Sequence, residues 1–290
     1  MLNRTVVAIP ASYDKEQCLE TETTRKYVDY LAENEVGSVM TTAGTSHYNL
    51  LTIDEIHELN SSVALSFKGH KILGVPAVSQ RQAIEFVIKA KQYADENTNF
   101  MLLYPERFYS EEKLVDYMQS IAQNCDNQIY IHGKTIRNAT GGSWDYTSDV
   151  INTLHQQGVL KGIKEEHSQL NKSYDFVSKI HDEVDVIVAG GSMRRYEFLR
   201  SAGANAFLSG VGNLFPDVEQ RYINGDIDLP LELEKKMFDV FMKYGWHKSL
   251  RIALDYLNMS CYNNREPWPE TLKNEREEII RVVEEIRNEK

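Results

Sequence analysis

Short β-strand patterns alternate with helical patterns along most of the chain, and this alternation limits the possible fold more than any other feature. The intervening segments, such as residues 24–34, 53–67 and 82–97, have apolar residues at helical spacing. Strict alternation predicts a parallel sheet, and eight units in about 220 residues are typical of a (β/α)8 TIM barrel. The eight strand patterns cover residues 5–11, 37–43, 71–78, 99–105, 128–133, 159–164, 184–190 and 205–211.

An open, doubly wound sheet is the alternative fold. No GxGxxG sequence follows the first strand pattern, and no segment has the character of an edge strand. After residue 216 the strand patterns stop, and amphipathic helices are predicted over residues 229–245, 247–260 and 272–290. We therefore expect a barrel over residues 1–225 with a C-terminal helical extension over residues 226–290.

The composition excludes several classes of function. A net charge of −11 argues against general binding to nucleic acid or to anionic membranes, because both require a positive surface. No stretch approaches the roughly 18 apolar residues of a membrane span. The three cysteines (Cys18, Cys125 and Cys261) are widely spaced, which favours a reduced, cytoplasmic location.

The sixth strand pattern, "GVLKGIKEEHS" (158–168), ends in an unusual lysine. Side chains alternate along a strand, so Lys164 shares one face with Leu160 and Gly162. In a barrel of this kind chemistry occurs at the C-terminal ends of the strands, where Lys164 lies. A buried lysine loses its proton readily, and the neutral amine can form a Schiff base with a carbonyl compound. The alternative is a lysine that reaches solvent or pairs with a neighbouring carboxylate such as Glu165 or Glu166.

Four motifs, spread over nearly the whole chain, resemble those of one family. "GIKEEHS" resembles a GIKEASGD-like strand, "TTAGTSHYNLLTIDE" resembles a GTTGE loop, "GANAFLSGVGNLFP" resembles GADGVISVxxNxxP, and "IPAS" resembles T-P-F. These are motifs of the dihydrodipicolinate synthase and N-acetylneuraminate lyase family of class I aldolases. The resemblance implies a TIM barrel, an imine-forming Lys164, and assembly as a homotetramer or homodimer. The sequence contains no phosphate loop or dinucleotide fingerprint, so we expect no organic cofactor.

The resemblance also implies which residues bind the keto acid. In the family the GTTG loop binds the substrate carboxylate, which assigns this role to Thr42 and Gly44, with Ala43 where a second threonine is usual. The loop is one residue longer here, so Thr41 and Thr42 could instead be the threonine pair. Gly191, at the end of the seventh strand, and Leu208, on the eighth, match positions that border the bound keto acid.

The chain departs from the family at the end of the fifth strand. His132 occupies the position of a tyrosine that relays protons, and a histidine can do acid–base work near neutral pH. Arg137, five residues later, matches an arginine that binds the carboxylate of an aldehyde partner. The histidines form no HxxxH or HxH pattern, so we expect no metal site.

The predicted function is therefore a lyase or aldolase that acts on a pyruvate-type 2-keto acid through a lysine Schiff base. Its second substrate would be an aldehyde or a hydroxy-keto acid. Because the family tyrosine is absent, a divergent aldolase is favoured over a true dihydrodipicolinate synthase. A sugar-acid dehydratase that uses the same imine, or a catalytically impaired keto-acid binder, is the alternative.

Overall fold

Strands and helices alternate along the computed structural model, which describes residues 4–104, 107–138, 142–261, 263 and 265–290. Its strands are β1 (Thr5–Ala8), β2 (Ser38–Met40), β3 (His70–Gly74), β4 (Thr98–Leu102), β5 (Arg107–Phe108), β6 (Ile129–Gly133), β7 (Ile136–Asn138), β8 (Ser143–Trp144), β9 (Leu160–Glu165), β10 (Asp185–Val188) and β11 (Ala206–Leu208).

Eight of these strands form a closed parallel barrel in the order β1-β11-β10-β9-β6-β4-β3-β2. Each of the eight strand patterns found in the sequence corresponds to one barrel strand, so the predicted TIM barrel is confirmed. Most of the predicted strands extend too far at their C-terminal ends, where the chain has already turned into a loop. Pro105, the last residue of the fourth predicted strand, lies outside the described residues.

Several helices begin where a polar side chain caps free backbone N–H groups. Thr52 and Glu55 form a capping box at one helix start, and Ser79 and Gln82 form another. The helices are α1 (Thr21–Glu33), α2 (Ile53–Ser66), α3 (Gln80–Ala90), α4 (Glu111–Ala122), α5 (Ser148–Gln156), α6 (Leu170–Val177), α7 (Ser192–Leu199), α8 (Pro216–Ile223), α9 (Asp228–Tyr244), α10 (Trp246–Tyr256) and α11 (Lys273–Glu289). The three helices predicted beyond residue 226 correspond to α9, α10 and α11, whereas the boundary at residue 225 stays a prediction.

The chain divides into two compact units. The first comprises residues 1–6 and 70–208 and contains β3 to β11 with α3 to α7. Its core includes Leu73, Met101, Ile131, Ile163 and Ile187, which are all fully buried. Parallel pairing of β6, β9 and β10 fixes the register of this unit.

The second unit comprises residues 7–69 and 209–290. Val7 and Ala8 pair with Val39 and Met40 of β2, and α1 packs against α2. The helices α9, α10 and α11 pack against one another with fully buried apolar residues such as Phe241. None of the described helices is both long enough and apolar enough to cross a membrane.

A small second sheet, formed by β5, β7 and β8, was not predicted from the sequence. Its strands are two or three residues long, which is too short for an alternating pattern to show. The ring of Phe108 stacks on that of Trp144 with centroids 4.2 Å apart. This aromatic contact joins β5 to β8 across the sheet.

Gly162 provides the space that β9 needs beside Tyr130. A Cβ atom at this position would lie 2.6 Å from the Asp185 carbonyl oxygen and 2.6 Å from Cε1 of Tyr130. The Tyr130 hydroxyl in turn donates a hydrogen bond to Asp185 Oδ2 over 2.7 Å. Backbone and a hydrogen-bonded ring therefore occupy the space that any side chain at residue 162 would need.

We expect Gly162→Ala to lower the free energy of unfolding by about 2–3 kcal/mol, because overpacked cores must shift backbone or side chains. Urea denaturation measures this value. Gly158→Ala is the control, since Gly158 has a φ of +75° but nothing within 4 Å of an added Cβ. That variant incurs only the conformational cost of about 1 kcal/mol. Equal losses in the two variants would contradict the steric argument.

Candidate active site

Lys164 lies on the face of β9 that points away from the helices. The adjacent Glu165 contacts Arg195 of α7 and marks the helix side, so the alternation of the strand directs Lys164 to the barrel interior. There Lys164 is 4% exposed, and its register neighbours are His132 on β6 and Ile187 on β10. The predicted burial of this amine is what the structure shows.

Three polar side chains meet at the Lys164 amine, and we call Lys164, His132 and Glu166 the lysine cluster. Lys164 Nζ lies 2.8 Å from His132 Nε2 and 3.0 Å from Glu166 Oε2. His132 Nε2 and Glu166 Oε2 are themselves 2.5 Å apart. Each member of the lysine cluster is thus within hydrogen-bond distance of the other two.

Burial and the contacts within the lysine cluster together set the pKa values of its members. Burial lowers the pKa of Lys164, although the carboxylate of Glu166 opposes this shift. Burial acts to raise the pKa of Glu166, but the Lys164 ammonium and the hydrogen bond from His132 outweigh it and hold that pKa below its ordinary range. Burial and the nearby Lys164 charge lower the pKa of His132 to about 4. Around neutral pH, His132 is therefore uncharged and Glu166 is ionised.

This arrangement allows an amine to act as a nucleophile. A lysine that loses its proton readily can attack a carbonyl carbon, and two adjacent groups can accept or return protons. The side chain of Glu166 is 37% exposed, whereas that of Lys164 is only 5% exposed. Glu166 therefore connects the buried amine to solvent.

A buried ion-pair network holds the end of β9 in place. Arg195 Nη2 donates to both oxygens of Glu165 at 3.2 and 3.1 Å, to the His167 carbonyl at 2.7 Å and to Ser173 Oγ at 2.6 Å. Glu165 Oε1 also accepts the His167 backbone N–H at 2.8 Å. Since Glu166 lies between Glu165 and His167, this network fixes the backbone that carries it.

The two threonines after β2 differ in their hydrogen bonding. Thr41 Oγ1 donates to Asn60 Oδ1 at 2.6 Å and accepts from the Tyr48 hydroxyl at 2.9 Å. Thr42 Oγ1 is buried and has no hydrogen-bond partner among the described residues. The Thr42 N–H donates to Ser46 Oγ, which itself donates to the Ile9 carbonyl. Thr41 is therefore committed to the fold, while the Thr42 hydroxyl is available to a ligand.

Aromatic and histidine side chains lie close to the rest of the loop that follows β2. Gly44 is half-buried, and a Cβ there would approach the His247 ring to 2.9 Å. Ala43 is half-buried and accepts the Tyr48 N–H through its carbonyl. His47, which sequence reasoning did not single out, is fully buried and stacks on Trp268 at 4.5 Å. A side chain at residue 44 would therefore require the His247 ring to move.

Three other predicted site residues have different surroundings. Arg137 is exposed on β7, where its register partner on β5 is the exposed Arg107. Gly191 is the N-cap of α7, and Leu208 is half-buried at the end of β11. Ser192, which follows Gly191, has a φ of +44° and a buried hydroxyl without a hydrogen-bond partner among the described residues. The structure does not test the substrate contacts predicted for these residues.

Outside the lysine cluster, three side chains of types that commonly bind metal ions lie close together. Ligand atoms of His155, His181 and Glu183 all lie within 4.8 Å of one another, although His155 and His181 are far apart in sequence. The Nδ1 atom of His181 already accepts the Glu183 N–H, and both of these residues are exposed. We assign no metal to this group.

Sequence reasoning did not identify Glu166 as a functional residue of the site. It indicated only that Glu166 could be an ion-pair partner of Lys164. Residues two apart on a strand share a face, so the Lys-x-Glu spacing of residues 164 and 166 was a usable signal. The contacts of His132 with Lys164 and Glu166 could not be predicted from the sequence, because they depend on the pairing of β6 with β9.

Comparisons with known proteins agree with the resemblance found in the sequence. Residues 1–286 match the family described as "Dihydrodipicolinate synthetase family". The 4-hydroxy-tetrahydrodipicolinate synthase of Methanosphaera stadtmanae is 22% identical, over 97% of this chain and 97% of that protein. The enzyme of the same name from Methanothermobacter thermautotrophicus is 22% identical, over 81% of this chain and 84% of its own.

Solved structures show the same fold. Dihydrodipicolinate synthase from Oceanobacillus iheyensis superposes with a TM-score of 0.82 at 19% identity, covering 98% of this chain and 97% of that one. The Ruminococcus gnavus sialic acid aldolase has a TM-score of 0.82 at 14% identity, with the same coverage. At these identities the likeness establishes the barrel and leaves the substrate open.

We expect Thr41→Val and Thr42→Val to have different effects on stability. The first removes the two hydrogen bonds that Thr41 makes with Asn60 and Tyr48, which costs about 1–3 kcal/mol, while the bond between Tyr48 and Asn60 at 3.0 Å remains. The second removes a buried hydroxyl that has no partner, so stability should be unchanged or raised, while the half-saturating pyruvate concentration should rise. Thermal denaturation and pyruvate titration measure these effects. A loss in Thr42→Val as large as that in Thr41→Val would assign the Thr42 hydroxyl to the fold.

We expect His132 to stay neutral from pH 8 down to about pH 5, as its pKa of about 4 requires. An unfolded histidine titrates near 6.5, so the unfolded chain binds more protons between about pH 6.5 and pH 4. The contribution of His132 to stability is therefore lost as the pH falls through that window. Histidine NMR titration, with His132→Asn to assign the signal, measures the pKa directly. Protonation of His132 near pH 6.5 or above would contradict the prediction.

Proposed function

Because the chain belongs to the dihydrodipicolinate synthetase family, whose members include aldolase-type lyases, we propose that it binds a pyruvate-type 2-keto acid as an imine on Lys164. The observation that supports this most directly is the buried amine of Lys164 at the C-terminal end of β9. Its lowered pKa makes the nucleophilic form accessible.

The chemistry follows from the amine. Neutral Lys164 attacks the keto carbon, a C–N bond forms, and the carbonyl oxygen takes up a proton. Loss of that oxygen as water leaves a C=N bond whose protonated form withdraws electrons from the neighbouring carbon. Removal of a proton from that carbon gives an enamine that can add to an aldehyde, and the reverse sequence cleaves a hydroxy-keto acid. His132 would relay protons in these steps, and its distance of 2.8 Å from the amine supports this role.

We infer a divergent aldolase acting on a hydroxy-keto acid or sugar acid rather than a true synthase. His132 stands where the resemblance expects a tyrosine, and histidine differs from tyrosine in reach and in pKa. A sugar-acid dehydratase would share the imine and differ in the group that leaves. Product analysis on a panel of hydroxy-keto acids separates cleavage from dehydration.

The substrate contacts in this proposal rest on the resemblance. Thr42 and Gly44 would bind the keto-acid carboxylate, and the buried Thr42 hydroxyl, which has no hydrogen-bond partner among the described residues, supports this role. The Thr41 hydroxyl is already bonded to Asn60 and Tyr48, which favours the register that does not require Thr41. Gly191 and Leu208 would border the keto acid. Arg137 would bind an anionic group of the second substrate, which its exposed position beside Arg107 supports.

The assembly and the cellular location belong to the same proposal. A homotetramer or homodimer is implied by the resemblance, and light scattering of the purified protein measures it. A cytoplasmic location is supported by the three cysteines, all of which are present as free thiols.

We expect pyruvate and sodium borohydride together to modify the protein irreversibly at Lys164. Borohydride reduces the imine to a stable secondary amine, so intact-mass measurement should show one pyruvyl adduct per chain. Lys164→Met should abolish the adduct, because the nucleophile is gone.

Lys161→Met is the matched control, since Lys161 lies on the same strand with its side chain 42% exposed. This variant should keep the full adduct. An adduct that survives in Lys164→Met, or none in the unaltered protein, would overturn the proposed function.

A further inference from the structure

Two residues that differ from those expected from the family resemblance are in contact in the structure. Glu166 lies where the GIKEASGD-like strand has alanine, and His132 lies where a tyrosine is expected. Both contact Lys164 Nζ, and they contact each other at 2.5 Å. The two substitutions therefore form one unit around the amine.

We propose that Glu166 is a catalytic residue, the general base that removes the proton from the carbon next to the imine carbon on Lys164. This inference rests on the proposed imine and names the group that acts on it. Glu166 Oε2 contacts both Lys164 Nζ and His132 Nε2. His132 therefore holds the carboxylate in place and forms the other half of the proton relay.

Distance supports Glu166 as the base. Its Oε2 is 3.0 Å from Nζ, and the carbon that loses its proton is two bonds from that nitrogen in the imine. A general base must lie within hydrogen-bond reach of the proton that it takes. The carboxylate lies in contact with the nitrogen that would carry the imine, which is the observation on which the assignment rests.

Access to solvent favours Glu166 over His132 as the group that takes the proton away. Glu166 is ionised at neutral pH and 37% exposed, so it can pass a proton to water. The His132 side chain is only 4% exposed. His132 therefore orients the carboxylate of Glu166, and that carboxylate exchanges the proton with solvent.

The proton and electron balance of the step is complete. The C–H electrons form a C=C bond, the π electrons of the protonated imine return to nitrogen, and Glu166 takes the proton. Water then removes it from Glu166, or Glu166 returns it when the enamine is protonated. No oxidant, metal or further reactant is required.

Two measurements on Glu166→Gln separate this role from imine formation itself. Borohydride trapping with pyruvate reports the imine, and exchange of the pyruvate methyl hydrogens in D2O, followed by proton NMR, reports deprotonation. We expect Glu166→Gln to keep the trapped adduct while the exchange rate falls by about 10²–10⁴-fold. Glu166→Asp, which retains a carboxylate, should recover part of the exchange.

Glu197→Gln is the matched control, since Glu197 is also partly exposed and paired with a cation, Arg200 at 3.2 Å. It should leave both readouts at wild-type values. If Glu166→Gln exchanges hydrogen as fast as the wild type, Glu166 is not the base. If it loses the adduct as well, Glu166 serves to position Lys164, and the assignment also fails. Should Glu166→Gln not fold, Glu166→Ala replaces it in the same two measurements.

Absence of an adduct in the wild type would refute the proposed imine rather than the role of Glu166 alone. His132→Tyr combined with Glu166→Ala restores both positions to the residues of the resembling motifs. If the carboxylate and the histidine act as one unit, this double variant should exchange faster than Glu166→Ala alone. An exchange rate no higher than that of Glu166→Ala would contradict the pairing.

Discussion

Removing the Lys164 amine from water is the constraint on which the candidate site depends. An isolated ammonium in a barrel interior is costly, and proteins resolve this by pairing the charge or by releasing the proton. The lysine cluster does both, because Glu166 is close enough to stabilise the ammonium while burial favours the neutral amine. A lysine held between these two states can give up its proton and take it back during a reaction.

This balance requires that the end of β9 be rigid. Glu166 must keep its position, because the same oxygen contacts both the Lys164 amine and His132. The network of Arg195, Glu165 and the His167 backbone prevents a shift by fixing the residues on both sides of Glu166. The outward face of the strand thus supports the chemistry of its inward face, and Gly162 leaves the space in which both faces can be satisfied.

Much of the fold was predictable because it depends on local patterns. The alternation of strand and helix identified every barrel strand, and helical spacing located the helices beyond residue 226. The sheet of β5, β7 and β8 was missed, because its strands are two or three residues long and the stacked rings of Phe108 and Trp144 are far apart in the sequence. The two registers of the Thr41–Thr42 loop could not be separated either, since the contact of Thr41 with Asn60 crosses 19 residues.

The sequence by itself determined the eight-unit barrel, the face on which Lys164 lies and the family to which the chain belongs. These properties follow from side-chain periodicity and from short motifs that are read along the chain. Only the tertiary structure decided that His132 and Glu166 meet at the amine, because His132 is 32 residues from Lys164 and reaches it through the pairing of β6 with β9. The lowered pKa values likewise arise from burial, which is a property of the packed barrel and of no single segment.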